Sequence, residues 1–231
     1  MVHCIEENSR YFLGTPYESR TLDQNDTESL VCINSAFDCV TFVEYVLALS
    51  LYTCEGILPF EGYLRQLRYR NGVIDGYGSR LHYTSEWINQ GIALGYFSEI
   101  TQNLGGKSIK KQINFMTKNI HLYPSISRDG CMKDIQRVEE NLSIDSYFQV
   151  SKNEVKNIEK NLQTGDIIAI TTKIDGLDIS HLGFIIKDGT AVHLLHASET
   201  LHKITISDVP LSKYLHRNPK QEGIRVLRII K

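Results

Sequence analysis

"ISHLGFIIKDGTAVHLLHAS", residues 179–198, is two apolar runs joined by an Asp-Gly step. Runs of Ile, Phe, Val and Leu suit strands, and Asp188-Gly189 is a favoured pair for a two-residue hairpin turn. With that turn, Lys187 lies opposite Thr190, Ile185 opposite Val192 and His181 opposite His196. Opposed residues have Cβ atoms about 4.5–5.5 Å apart on one side of the sheet, so the two imidazoles meet. His193 opposes Phe184, and both turn to the other face, because side chains alternate along a strand. A bulge would shift this register.

Around the hairpin, "GDIIAITT", "HKITISDV" and "GIRVLRII" are further apolar runs split by polar turns, and they read as strands of one antiparallel sheet. Upstream the periodicity is helical. A short helix ends near Gly14, a second runs over residues 38–51, a third over 58–70, and a fourth follows with Thr84 or Ser85 as its cap. Residues 18–34 are polar and read as a loop, and 101–163 alternate between short helical patterns and loops. Helices first and sheet afterwards predict an α+β fold. The 231 residues suit one domain, with a helical and loop insertion at about 55–163.

With 42% hydrophobic and 23% charged residues the chain can bury a sizeable core. A formal net charge of -2 makes no electrostatic claim on nucleic acid or anionic membrane. No apolar run approaches the ~18 residues of a membrane span. The start, "MVHCIEENSRYF", has neither a basic segment nor an apolar one, so it is no intact signal peptide. The expected compartment is the periplasm if a leader has been removed and the cytoplasm otherwise.

Five cysteines without a CxxC pair argue against a disulfide framework and against a four-cysteine zinc site. Cys4, Cys32, Cys54 and Cys131 read as small buried apolar residues. Cys39 is different. In "SAFDCVTFVEYVLAL", residues 35–49, it follows Asp38, a suitable N-cap, at the start of an apolar helix. Free N–H groups and the helix dipole favour a thiolate there. A histidine beside it can take the proton and a second histidine can fix the tautomer of the first. Cys39, His181 and His196 thus form a candidate Cys–His–His triad.

The order of short motifs strengthens this. "LGTPY" (residues 13–17), "FDCVTFVEYV" (37–46), "TGDIIAI" (164–170), "SHLGFII" (180–186) and "HAS" (196–198) follow one another as in the NlpC-type cell-wall hydrolases, papain-like cysteine amidases and peptidases, which the chain resembles. The resemblance covers the first and last thirds. It implies a papain-like fold with the nucleophile Cys39 at a helix N-terminus packed on the sheet, His181 as base, His196 as orienting residue, and no cofactor or metal.

Three departures set the chain apart: Asp-Cys-Val-Thr in place of Asp-Cys-Ser-Gly, a longer loop before the cysteine, and no Gly-Gly after the tyrosine. "FDCVTFVE", "GSRLHYTSEW" and "LDISHLGF" resemble a branch of N-acetylmuramoyl-L-alanine amidases acting on soluble muropeptides, especially anhydro-muropeptides from wall turnover. The branch implies bacterial peptidoglycan recycling, with peptidoglycan fragments as partners and a monomeric enzyme. Asp38, Tyr17, Ser79, Arg80 and Tyr83 are the expected substrate-binding residues, Arg80 as a bidentate grip on a peptide carboxylate. Trp87 reads as core rather than as a sugar platform. Three alternatives stay open on sequence: a cell-wall (γ-D-glutamyl) endopeptidase with the same triad, a zinc amidase ligated by Cys39, His181 and His196, and an inactive muropeptide-binding module.

Overall fold

The computed structural model describes residues 1–230. Its helices are α1 (Val2–Tyr11), α2 (Cys39–Cys54), α3 (Phe60–Arg68), α4 (Thr84–Ala93), α5 (Phe115–Lys118), α6 (Pro124–Arg128), α7 (Met132–Ile144), α8 (Val155–Ile158) and α9 (Leu211–His216). The strands are β1 (Phe97–Glu99), β2 (Lys107–Lys110), β3 (Ser146–Ser151), β4 (Ile167–Thr172), β5 (Ile179–Asp188), β6 (Ala191–Ser198), β7 (Lys203–Ile206) and β8 (Gln221–Ile229). They form one antiparallel sheet in the order β2-β3-β8-β4-β5-β6-β7, with β1 also on β8. The fold is α+β.

Each face of the sheet buries a core. Phe184, Leu195 and Leu227 face α1 to α4 and pack with Phe42, Val46, Leu47 and Leu64. Ile168, Ile185, Leu194 and Val226 face the other way and pack with residues of α8 and α9. A third cluster, including Tyr77, Tyr83, Ile113 and Tyr147, lies within the stretch expected to be an insertion. That stretch is not helix and loop alone, since it also supplies β1, β2 and β3. Gly223 makes this joint possible: a Cβ there would lie 2.2 Å from the Val150 carbonyl oxygen of β3.

The cysteines depart from expectation. Cys4 of α1 and Cys54 of α2 are joined by a disulfide, which ties α1 to α2. Cys32 is exposed, and only Cys131 is the buried apolar residue foreseen. Spacing could not show the bond, because two helices far apart in sequence have to pack before the sulfurs meet.

Neither expected residue caps α4. Its Ser85 N–H donates at 2.7 Å to the Asp178 carboxylate from the "LDISHLGF" stretch. A tertiary partner thus satisfies one of the N–H groups that a helix start leaves open. No helix among the described residues is long and apolar enough to cross a membrane.

Candidate active site

Cys39 opens α2 as its first helical residue. Asp38 caps the helix, its Oδ1 accepting from Val40 N–H at 3.0 Å and Thr41 N–H at 2.8 Å. In return Thr41 Oγ1 accepts from Asp38 N–H at 2.9 Å. This reciprocal box fixes the first turn. The entry to the helix is held by the Gly-Thr-Pro-Tyr stretch, which runs beside β7: Gly14 N–H donates to the Ile204 carbonyl, and Ile204 N–H to that of Thr15. Phe37 N–H then donates to the Pro16 carbonyl, so Tyr17 lies alongside the residues that lead into Cys39.

The hairpin has a different register from the one expected. Its ladder pairs Asp188 with Ala191, Ile186 with His193, Ile185 with Leu194 and Phe184 with Leu195. The turn residues are therefore Gly189 and Thr190. Gly189, at φ +57°, carries the positive φ that the first turn position of a II′ hairpin needs. The shift is two residues, so every side chain keeps its face, and His193 still points away from the pair. Its Nδ1 lies 2.7 Å from the Ser207 carbonyl.

Gly183 explains why the imidazoles meet although they are not directly opposed. A Cβ on Gly183 would lie 3.0 Å from the His196 Cβ and 2.7 Å from the Leu195 carbonyl oxygen. With no side chain there, His196 leans along the sheet to His181. His181 Nε2 and His196 Nδ1 are 2.8 Å apart, with the rings nearly perpendicular. On its other side His196 meets the ring of Tyr214 from α9, with centroids 5.1 Å apart.

The thiol lies against the strand of His181, next to Leu182, and its field reaches Tyr214. Backbone N–H groups of Leu182, Cys39 and Val40 turn toward the sulfur and favour its charge. Burial, and then the Asp38 carboxylate, outweigh them and push the thiol up to about 12. Burial first, and the Asp38 charge second, thus work against the thiolate expected at the helix start. Burial and then His196 push His181 down to about 3, and burial pushes His196 down to about 4. At neutral pH all three groups are uncharged. Burial, with the fields of Cys39, Glu199 and Asp38, raises Tyr17 to about 12, and burial with Cys39 does the same for Tyr214. The sequence reading missed Tyr214, whose short helix lies in a stretch without clear periodicity.

Which of the two facing imidazole nitrogens donates to the other is set by the tautomer. Among the described residues no group of three or more His, Cys, Asp or Glu side chains is arranged to hold a metal ion.

Ser79, Arg80 and Tyr83 are not brought to this site by any contact with it. Arg80 donates to Glu28 at 2.6 Å, to Asp23 at 2.8 Å and to the Leu22 carbonyl, so its guanidinium holds the 18–34 loop. The Tyr83 hydroxyl donates to Glu139 at 2.7 Å, and Ser79 Oγ to the Gly76 carbonyl. All three are buried. Trp87 is core, stacked on Phe97.

Residues 7–224 match the model of the AmiA-like family, described as N-acetylmuramoyl-L-alanine amidase-like. A solved structure named as an N-acetylmuramoyl-L-alanine amidase from Bacteroides uniformis is 34% identical, with TM-score 0.89, over 98% of this chain and 99% of that one. A Bacteroides fragilis protein provisionally named a xylanase is 35% identical, also with TM-score 0.89, over 96% of this chain and 100% of that one. A Legionella pneumophila protein at 21% identity and TM-score 0.73, over 100% of this chain and 89% of that one, shares the fold. Among curated proteins no match is found. Across nearly its whole length, the chain belongs to the AmiA-like, N-acetylmuramoyl-L-alanine amidase-like family.

Proposed function

We propose that this protein is a papain-like cysteine amidase that cleaves the amide between the lactyl group of muramic acid and L-alanine in soluble muropeptides, with anhydro-muropeptides from wall turnover as the preferred class. The observation that carries the reading is the 2.8 Å contact between His181 Nε2 and His196 Nδ1 beside a thiol at a capped helix start. Nε2–H of His181 donates to His196, which leaves Nδ1 of His181 free as the base. The resting groups are neutral, so the proton leaves sulfur for Nδ1 as sulfur attacks the lactyl carbonyl. The C–N bond then breaks and His181 gives its proton to the departing amine of L-alanine. Water attacks the thioester, His181 takes its proton, and the thiol is restored. The backbone N–H of Cys39 is the oxyanion donor. No metal takes part.

The Cys4–Cys54 disulfide supports an oxidising compartment, the periplasm, as the working site. Mass spectrometry of products from a panel of muropeptides, with and without the anhydro end, tests the reading. Free sugar and intact stem peptide are expected from the wild type and neither from Cys39→Ala. Cleavage within the peptide would instead make the enzyme an endopeptidase. Activity that survives alkylation but not chelation would make it a metalloamidase.

A further inference from the structure

His196 is held between two rings. His181 stands on one side, with centroids 4.8 Å apart and planes at 83°, and Tyr214 on the other, at 5.1 Å and 65°. A cleft of about 610 Å³, bounded by β6, β7, α9 and the start of β8, has both His196 and Tyr214 in its wall. His196 is nevertheless only 3% exposed. The ring of Tyr214 is the neighbour placed to cover it on α9's side.

The orientation of His196 decides which nitrogen it offers. Half a turn about χ2 puts a carbon where Nδ1 stood, and that torsion is broad and roughly two-fold for histidine. The single hydrogen bond to His181 Nε2 is a modest net restraint against such a turn. If the ring turns, Nε2–H of His181 loses its acceptor, and nothing then keeps Nδ1 of His181 free as the base.

Tyr214 itself has little freedom. Leu211 and Leu215, one turn apart on α9, pack into the core on this face of the sheet with Ile185 and Leu194. Ser212 N–H donates at 2.9 Å to the buried Glu159 carboxylate, which anchors the start of the helix. Just past its end, Arg217 holds Asp208, in the loop that leads into α9, through a bidentate pair at 2.6 and 2.9 Å. Tyr214 lies about 60° round the helix from Leu211, on the side away from Ser212. A helix pinned in this way carries the tyrosine ring as a fixed wall.

We propose that Tyr214 is a positioning residue, whose ring bars His196 from turning and so keeps its Nδ1 on Nε2–H of His181. The proposal rests on the reading of His181 as base. Long-range proton–nitrogen NMR correlations on the resting protein at neutral pH read the tautomers directly. In the wild type His181 and His196 should each show a protonated Nε2 and a bare Nδ1. Tyr214→Leu keeps apolar bulk without a flat ring. It should show mixed tautomers at both histidines and lower kcat on a muramoyl-L-alanyl peptide about tenfold, with KM unchanged, the scale of one aromatic pair. Tyr214→Phe retains the ring and should restore the single tautomers and most of kcat. His193, against the Ser207 carbonyl on the far face, is the internal control for an intact sheet. Should Tyr214→Leu not fold, Tyr214→Met reads the same quantity, because its flexible chain fills irregular gaps.

Tautomers unchanged in Tyr214→Leu overturn the positioning role and leave the amidase reading standing. A raised KM with kcat intact overturns it too, by making Tyr214 a substrate contact. So does a loss in Tyr214→Phe equal to that in Tyr214→Leu, which would put the effect in the hydroxyl. The NMR measurement needs no turnover. Mixed tautomers in Tyr214→Leu therefore support the positioning role even if the wild type cleaves no muropeptide, in which case the amidase reading alone falls.

Discussion

Burial works against charge at both Cys39 and His181. The thiol is pushed up to about 12 and His181 down to about 3, so the pair rests without charge. Iodoacetamide labelling of Cys39 should therefore be slow at neutral pH and still climbing above 9, the ordinary thiol value. A plateau near neutrality would show a standing thiolate instead. The histidines give a graded series. His181→Ala removes the proton acceptor and should cost about 10²–10⁴ in turnover. His196→Ala removes the group that sets its tautomer and should cost less. His193→Ala should leave turnover nearly unchanged, since its ring meets the Ser207 carbonyl on the far face. Kinetics in which His193→Ala equals His181→Ala would refute the assignment. The convergence of His181 and His196 was legible because strand alternation survives a two-residue slip. The direct opposition was not, since Asp-Gly and Gly-Thr are both acceptable turns and tertiary packing chose between them. Cys39 stood out for its place after a cap, but its neutral state depends on burial that spacing does not record.

Among the elements, the hairpin depends on an absent side chain. Gly183→Ala would press a methyl against the Leu195 carbonyl and the His196 Cβ. It should destabilise by about 1–3 kcal/mol and lower activity more than stability, by pushing the imidazoles apart. Thermal unfolding alongside kcat measures both, and full activity in the alanine variant would contradict the account. Helix α2 carries a second constraint, the buried pair of Glu44 with Arg68 at 2.8 Å. Burial raises the Glu44 carboxyl despite that partner. Arg68→Met, which leaves Glu44 unpaired, should cost about 3–5 kcal/mol in denaturant unfolding. An effect near zero would mean that Glu44 takes up a proton at no cost. Helices α1 to α4 were legible from their period, and α2 also from its Asp38 cap. The strands β1, β2 and β3 were not. β1 is short, and β2 is polar and mostly exposed at the sheet's end, so neither length nor alternation marks it.

For the whole molecule, three histidines add to the acid response of carboxyls held low, such as Glu159. His181 and His82 are lowered to about 3 and His196 to about 4, all chiefly by burial, with Arg80 adding to the effect at His82. The unfolded chain binds these protons below 6.5, whereas the folded chain does not until the lowered values are reached. Stability is thus complete above 6.5 and falls as pH drops toward 3 to 4. Tm against pH should show this decline, and His82→Asn should flatten it. An unaltered slope in that variant would remove His82 from the account. The disulfide, invisible to a reading by spacing, makes a separate claim: reduction should lower Tm without abolishing folding, because the two-faced core is extensive.

The strand order has a consequence for synthesis. The strand formed last, β8, lies between β3 and β4 rather than at an edge. Until residues 221–229 leave the ribosome, β4 has an unpaired side, and the β4–β5 ladder that supports His181 is only half braced. The nascent chain therefore cannot assemble its reactive centre piecemeal. A polypeptide stalled or clipped before β8 would be inert, and assembly of the site should wait until β8 has been made.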